Sequence, residues 1–229
     1  MATALAANAA VISINLTNND GPRQIGATES TGVIDTTGWV NFNTAASLTA
    51  TNVDGTVVDV LVSKAAGTSN TARDAGGDGT DGFLALYEAG LRDSTAGTAG
   101  DTFVTLSDMT AFLAAEGAST YNIYAYYKSA GGWSPDAIKL GLTTGSLTSV
   151  DPDAAGISVS DSFVLAGAAE SNYILFSGLT ADSSTVFLNK VNRDGLLTGI
   201  QIQTVAVPEP SSAALLGLGG LALILRRRK

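Results

Sequence analysis

Between Val11 and Val205, apolar and polar residues exchange places one by one in stretch after stretch. Ile12, Ile14 and Leu16 alternate with Ser13, Asn15 and Thr17. Val58, Val60 and Val62 alternate around Asp59 and Leu61. Tyr121, Ile123, Ala125 and Tyr127 alternate with Asn122, Tyr124 and Tyr126, and Ile200 and Ile202 with Gln201 and Gln203. Successive side chains of a strand point to opposite faces, so this period predicts strands with one buried face. Asn172 to Phe176 and Thr185 to Val191 read as two more strands. After them comes Arg193-Asp194-Gly195, and Asp-Gly favours a tight hairpin. Two stretches keep helical spacing instead, 84–91 and 107–116. The second starts at Ser107-Asp108, a reasonable cap, and carries Met109, Phe112 and Leu113 on one side. The expected fold is all-β: a single antiparallel β-sandwich over 11–205 with two short helices. No internal repeat of fixed period is visible, which sets solenoids and propellers aside.

Composition narrows the chemistry. The 229 residues include no cysteine and no histidine. Disulfides, thiolate sites, catalytic cysteine and every histidine-based triad are therefore excluded. Oxygen ligands remain, which leaves calcium as the metal with a plausible chemistry. Net charge is −9. Without the residues from Pro208 onward the body keeps 8 basic and 20 acidic side chains, a net charge of −12. Such a body disfavours nucleic acid, whose phosphates need Lys and Arg, and it repels anionic headgroups.

The region beyond 205 is built differently. Val207 leads into Pro208-Glu209-Pro210, then come Ser211 and Ser212, a 13-residue uncharged run from Ala213 to Leu225, and Arg226-Arg227-Arg228-Lys229. As a helix that run is about 20 Å long against a bilayer core of about 30 Å, so it makes a marginal anchor. The basic cluster belongs on the cytoplasmic side, which places the body outside. Glycines at 217, 219 and 220 and four consecutive positive charges speak against a buried core helix.

These three elements, in this order, resemble the PEP-CTERM sorting signal of Gram-negative, biofilm-forming bacteria. The resemblance implies a membrane-embedded exosortase as transient partner, which cuts near the triplet and releases the protein to the surface. It assigns the sorting role to Val207, Pro208, Glu209, Pro210, Arg226, Arg227, Arg228 and Lys229. Residues 206–229 then form a sorting signal with a short hydrophobic helix, and the precursor is held at the inner membrane before reaching the cell surface or matrix. Residues 1–10 lack a basic start but offer Ala4-Leu5-Ala6 and Ala7-Asn8-Ala9 as small-x-small sites, and read as the remnant of a signal peptide. The body also resembles a group of PEP-CTERM proteins at Gly38 to Asn43, Tyr87 to Asp93, Tyr121 to Tyr126, Asn172 to Leu179 and Leu197 to Ile202. The Tyr87 to Asp93 segment departs from the group's tighter spacing. This second resemblance implies a jelly-roll or galactose-binding-like sandwich and carries no activity.

Candidate sites are few. Gly76-Gly77-Asp78-Gly79-Thr80-Asp81-Gly82-Phe83-Leu84 fits one copy of a calcium-binding β-roll repeat, and one copy supplies half a site at best. Asp74, Asp78 and Asp81 are the calcium candidates; the bland reading is an insertion loop with no cofactor. Trp133 follows Gly131-Gly132 and precedes Pro135, which places it on a loop as a possible sugar-stacking residue. Trp39 reads as core. Tyr124, Tyr126 and Asn122 share a strand face that would suit a glycan if wet, or ordinary cross-strand packing if not. Only paired carboxylates remain for catalysis, as in glycosidases, and no spacing singles out a pair. The functional expectation is a non-enzymatic structural or adhesive protein of the extracellular polysaccharide matrix. The alternatives are a carbohydrate-binding module with a defined glycan and an exported glycosidase.

Overall fold

The computed structural model describes residues 9–17, 24–43, 47–51, 59–64, 68–72, 82–93, 101–129, 138–143, 146–150, 162–168, 171–190 and 195–206. Among them are thirteen strands: β1 Val11–Leu16, β2 Val40–Phe42, β3 Ser47–Ala50, β4 Val60–Lys64, β5 Thr68–Ala72, β6 Ala89–Asp93, β7 Asp101–Ser107, β8 Ala118–Ser129, β9 Ile138–Gly141, β10 Thr148–Val150, β11 Tyr173–Leu179, β12 Ser184–Lys190 and β13 Gly195–Ala206. Two helices join them, α1 Gly82–Glu88 and α2 Met109–Ala115.

The strands form two sheets. A seven-stranded sheet runs β11-β8-β13-β1-β2, with β6 joined to β13 and β5 to β6. A six-stranded sheet runs β10-β9-β12-β7-β4-β3. Their inner faces enclose one core, as the period-two pattern predicts. The seven-stranded sheet contributes Ile12, Ile14, Leu16, Tyr121, Ile123, Ala125, Ile200 and Ile202. The six-stranded sheet answers with Val60, Val62, Val104, Leu106, Val186 and Leu188. The fold is an all-β sandwich.

Several local expectations are corrected. All six residues of β1 are buried, polar ones included, because the strand lies inside its sheet and its outer face is covered. β1 and β2 run parallel, with Ile14 opposite Val40, so the sandwich is not wholly antiparallel. The 23-residue connection is long enough for the crossover a parallel pair needs. The first helix ends at Glu88, and 89–91 continue as strand. There Ala89 and Leu91 are buried, and a Cβ on Gly90 would stand 2.8 Å from the Leu197 carbonyl oxygen, so β6 passes close against β13. The hairpin expected at Asp194-Gly195 does not join β12 to β13: β12 lies in the six-stranded sheet and β13 in the seven-stranded one, and 191–194 lie outside the described residues.

The cap of α2 is also corrected. Ser107 is the last residue of β7, and Asp108 makes no side-chain cap bond. Asp108 instead turns the chain through the left-handed region, at φ 63°. The open amides are met from the turn after β11. The Asp182 carbonyl accepts from the Met109 N–H at 3.1 Å, and its carboxylate accepts from the Thr110 N–H at 2.9 Å. That backbone N–H, then the Thr110 side chain, lower the Asp182 pKa.

Residues 207–229, including the expected hydrophobic helix, lie outside the described residues. Among the described residues no helix is long and apolar enough to cross a membrane.

Candidate functional site

The strand face singled out in the sequence is the outer face of the seven-stranded sheet. Register sets its rows. Leu175 of β11 stands opposite Tyr124 of β8, Tyr124 opposite Gln201 of β13, and Gln201 opposite Ser13 of β1. One row further along, Tyr173 stands opposite Tyr126. On the other side, Asn122 faces Gln203, which faces Val11.

One half of this face is covered. Tyr126 is fully buried and is not on a wet face, which corrects the sequence reading at that residue. Its ring lies 6.0 Å from Trp39, 5.6 Å from Phe163, 6.2 Å from Tyr173 and 6.3 Å from Tyr87, centroid to centroid. With Ile25, Leu84, Ala85 and Leu86 these rings form a second apolar cluster on the outside of the sheet. Helix α1 reaches the sheet over Gly199, where a Cβ would stand 2.5 Å from Leu86 Cδ1 and 3.1 Å from the Ile14 carbonyl oxygen. Trp39 is buried core, as its position near a strand start predicts, and its Nε1 donates to the carbonyls of Thr31 and Thr36 at 3.3 and 3.2 Å.

Gln201 ties the covering segment to the sheet. Its Nε2 donates to Ser13 Oγ at 3.0 Å and to the Ile34 carbonyl at 2.8 Å. Its Oε1 accepts from the Ile34 N–H at 3.2 Å and from the Tyr126 hydroxyl. Tyr126 in turn accepts from the Val33 N–H at 2.8 Å. Gly32 fits over this amide with φ +100°, where a Cβ would stand 2.5 Å from Gln201 Oε1. Burial pushes the Tyr126 phenol well above its ordinary pKa, with the Val33 bond acting in the opposite direction.

The other half is open. Tyr124 is half-buried, and its hydroxyl donates to Gln203 Oε1 at 3.1 Å. Its ring lies 6.4 Å from that of Tyr173. Asn122 is half-buried, and its Oδ1 accepts from the Gly178 N–H at 3.0 Å, at the bulge of β11. Leu175 and Val205, 37% and 39% exposed, border this strip on the same face. The structure thus brings Asn122 and Tyr124 together and adds Gln203, Leu175 and Val205. Such a strip presents an aromatic ring, amides and apolar surface, and among these side chains none is charged.

A second outer surface was not read from the sequence. On the six-stranded sheet the half-buried rings of Phe103 and Phe187 stand opposite each other, 5.6 Å apart, beside the hydrogen-bonded hydroxyls of Thr105 and Thr185 at 3.0 Å. Leu61 is exposed on this sheet. The signal lay in the alternation of β7 and β12, whose phenylalanines fall on the same parity as the threonines.

Trp133 and the calcium candidates Asp74, Asp78 and Asp81 lie outside the described residues, as do Val207 to Lys229 of the sorting signal. Among the described residues no group of three or more acidic side chains is placed to hold a metal ion.

The last strand, β13, ends at Ala206, and from that residue on the chain matches a family model. The match covers 206–229, and the model is that of the PEP-CTERM protein-sorting motif. Residues 206–229 are a PEP-CTERM sorting motif. The PEP-CTERM motif implies processing by exosortase, and hence an exported precursor that transits the membrane. No curated protein and no solved structure matches the chain.

Proposed function

We propose that this chain is a structural or adhesive protein of the extracellular polysaccharide matrix, delivered to the cell surface by exosortase. The observation that carries the reading is the PEP-CTERM motif, joined directly to an all-β body. An exported body of this kind needs a surface for polysaccharide rather than a catalytic cleft. The open strip of Asn122, Tyr124, Gln203, Leu175 and Val205 supports such a role, because a tyrosine edge and two amides suit the mixed apolar and hydroxyl surface of a sugar. Trp133 is a further candidate for stacking. The chain acts without a cofactor and without turnover in this reading; its body, at −12, binds no nucleic acid and favours neutral over anionic polymers.

The second reading is a carbohydrate-binding module with a single defined glycan, and the same strip favours it. A glycan array with the purified body separates the two. Weak retention across many polysaccharides supports the matrix role, and tight binding of one glycan supports the module. Turnover of a labelled polysaccharide would overturn both in favour of a glycosidase.

A further inference from the structure

We infer that Tyr124 and Tyr173 form an oxidative staple: a one-electron oxidant couples their rings into an intramolecular dityrosine that fastens the edge strand β11 to β8. The chain carries six tyrosines, and the structure describes all of them. Cysteine, which oxidants ordinarily attack first, is absent, and Met109 is fully buried in α2. Oxidation is thereby turned towards the phenols.

Burial selects among the six. Tyr87, Tyr121, Tyr126 and Tyr127 are fully buried. Their hydroxyls are engaged inside the protein, with the Asn172 carbonyl, the Ala181 carbonyl, Gln201 and Ser171 Oγ in turn. Tyr124 and Tyr173 are the two that reach water, each half-buried. Register brings this pair together. Tyr124 stands opposite Leu175 and Tyr126 opposite Tyr173, so Tyr124 and Tyr173 are diagonal neighbours across the ladder of β8 and β11. Aromatic side chains reach each other across that diagonal. The two ring centroids lie 6.4 Å apart with the planes inclined by 37°. Tyr126 is as close to Tyr173, at 6.2 Å, but its hydroxyl is held by Gln201 on one side and Val33 on the other, under the covering segment.

The oxidant is hydrogen peroxide acting through a peroxidase. Each phenol gives up one electron and one proton, and the peroxide leaves as two waters. The two phenoxyl radicals join through ring carbons ortho to oxygen, which forms one C–C bond. The ortho hydrogens then move to the oxygens and restore both hydroxyls, so the product has lost two hydrogens in all. Turning towards Tyr173 costs the Tyr124 ring its bond to Gln203, at a place where water replaces it. Among the described residues β11 is a sheet edge with β8 as its one neighbouring strand. A strand held from one side opens more readily than an interior one. A bond from 124 to 173 closes a loop in the unfolded chain and lowers its entropy, as a disulfide does. In an exported chain without cysteine it supplies a cross-link that reductants do not open. The inference needs only the ring pair and an oxidant, so it stands apart from what the open strip binds.

The test treats the full-length chain, kept dilute in mild detergent, with a haem peroxidase and hydrogen peroxide. The expected results are dityrosine fluorescence in the monomer, a digest that joins the peptides bearing Tyr124 and Tyr173 with the loss of two hydrogens, and a raised urea midpoint. Tyr173→Phe keeps the ring and removes the phenol, and should abolish the link; Tyr126→Phe should keep it. Oxidation in concentrated urea should scatter the links over other tyrosine pairs. Absence of dityrosine overturns the inference, and so does a link in the folded chain that maps to another pair or forms only between chains. A folded chain that gives no more of the Tyr124–Tyr173 product than the unfolded chain overturns it as well. Mapping on the natural chain decides the matter even where Tyr173→Phe folds poorly.

Discussion

Tyr126 illustrates how a single residue's role is decided from far away in the chain. The alternation of β8 correctly puts Asn122, Tyr124 and Tyr126 on one face, because period two is a local property. Which of them meets water depends on the segment around Ile25 to Trp39, some ninety residues earlier, and on the Gln201 amide, seventy-five residues later. No spacing in the sequence carries that information. The Tyr126 hydroxyl both donates to Gln201 and accepts from Val33, so Tyr126→Phe takes one of two donors from the buried Gln201 amide oxygen, which keeps the Ile34 N–H, and leaves the part-buried Val33 N–H without its acceptor. The expected cost is about 1–3 kcal/mol, read as a lower urea midpoint at unchanged slope. The same phenol gives a pH signature. Burial raises the pKa of Tyr87, Tyr121 and Tyr126, so the folded state holds these protons to higher pH than the unfolded chain. Stability from this source is fully present below the unfolded value of about 10 and declines as pH rises above it. Thermal melts should be flat from pH 7 to 9 and fall steeply above 10, with a shallower fall in Tyr126→Phe. An alkaline limb identical in the two proteins would remove Tyr126 from the explanation.

At the scale of elements, the sequence locates more than it connects. Met109, Phe112 and Leu113 were legible as one helical face, and all three are buried in α2. The cap was not legible, because the residue that satisfies the first open amides is Asp182, in a different turn, rather than the adjacent Asp108. This assignment predicts an asymmetry. Asp182→Ala should lower the urea midpoint, because the Thr110 N–H loses the carboxylate that accepts from it. Asp108→Gly should be neutral or stabilising, because glycine adopts a positive φ without the steric cost that Asp108 bears. The Asp182 contribution is present above the unfolded carboxyl value of about 4 and fades as pH falls below it, since its folded pKa is lowered. Urea titrations at pH 7 and pH 3 check both signs; equal losses for the two substitutions at pH 7 would refute the capping account. Strand pairing was the least legible feature. Asp194-Gly195 carries a hairpin signal, yet β12 pairs with β7 and β9 while β13 pairs with β8 and β1. Turn chemistry fixes where a chain bends, whereas burial of Leu188 and Ile200 from opposing sheets in one core decides which strands meet.

For the whole molecule, routing and fold are separable, and each was legible for its own reason. The alternation of 11–205 specifies two half-buried sheets whatever the protein does, and the tail beyond 206 reads as a sorting signal whatever precedes it. The partner of the body was not legible, since stacking and hydroxyl recognition use the same residue types as cross-strand packing. A body without cysteine, held by packing alone, should melt at the same temperature in millimolar calcium and in chelator; a melt lowered by chelator would assign a native-state calcium site, with Asp74, Asp78 and Asp81 the first residues to substitute. The central claim is that the tail is a temporary sorting device for an exported surface protein. Intact-mass measurement of the protein extracted from the cell surface of its host tests this most directly. The account predicts a dominant form that retains all of β13 and lacks the apolar run and the Arg226-Arg227-Arg228-Lys229 cluster. A dominant form that still ends at Lys229 would contradict it and make the tail a permanent anchor.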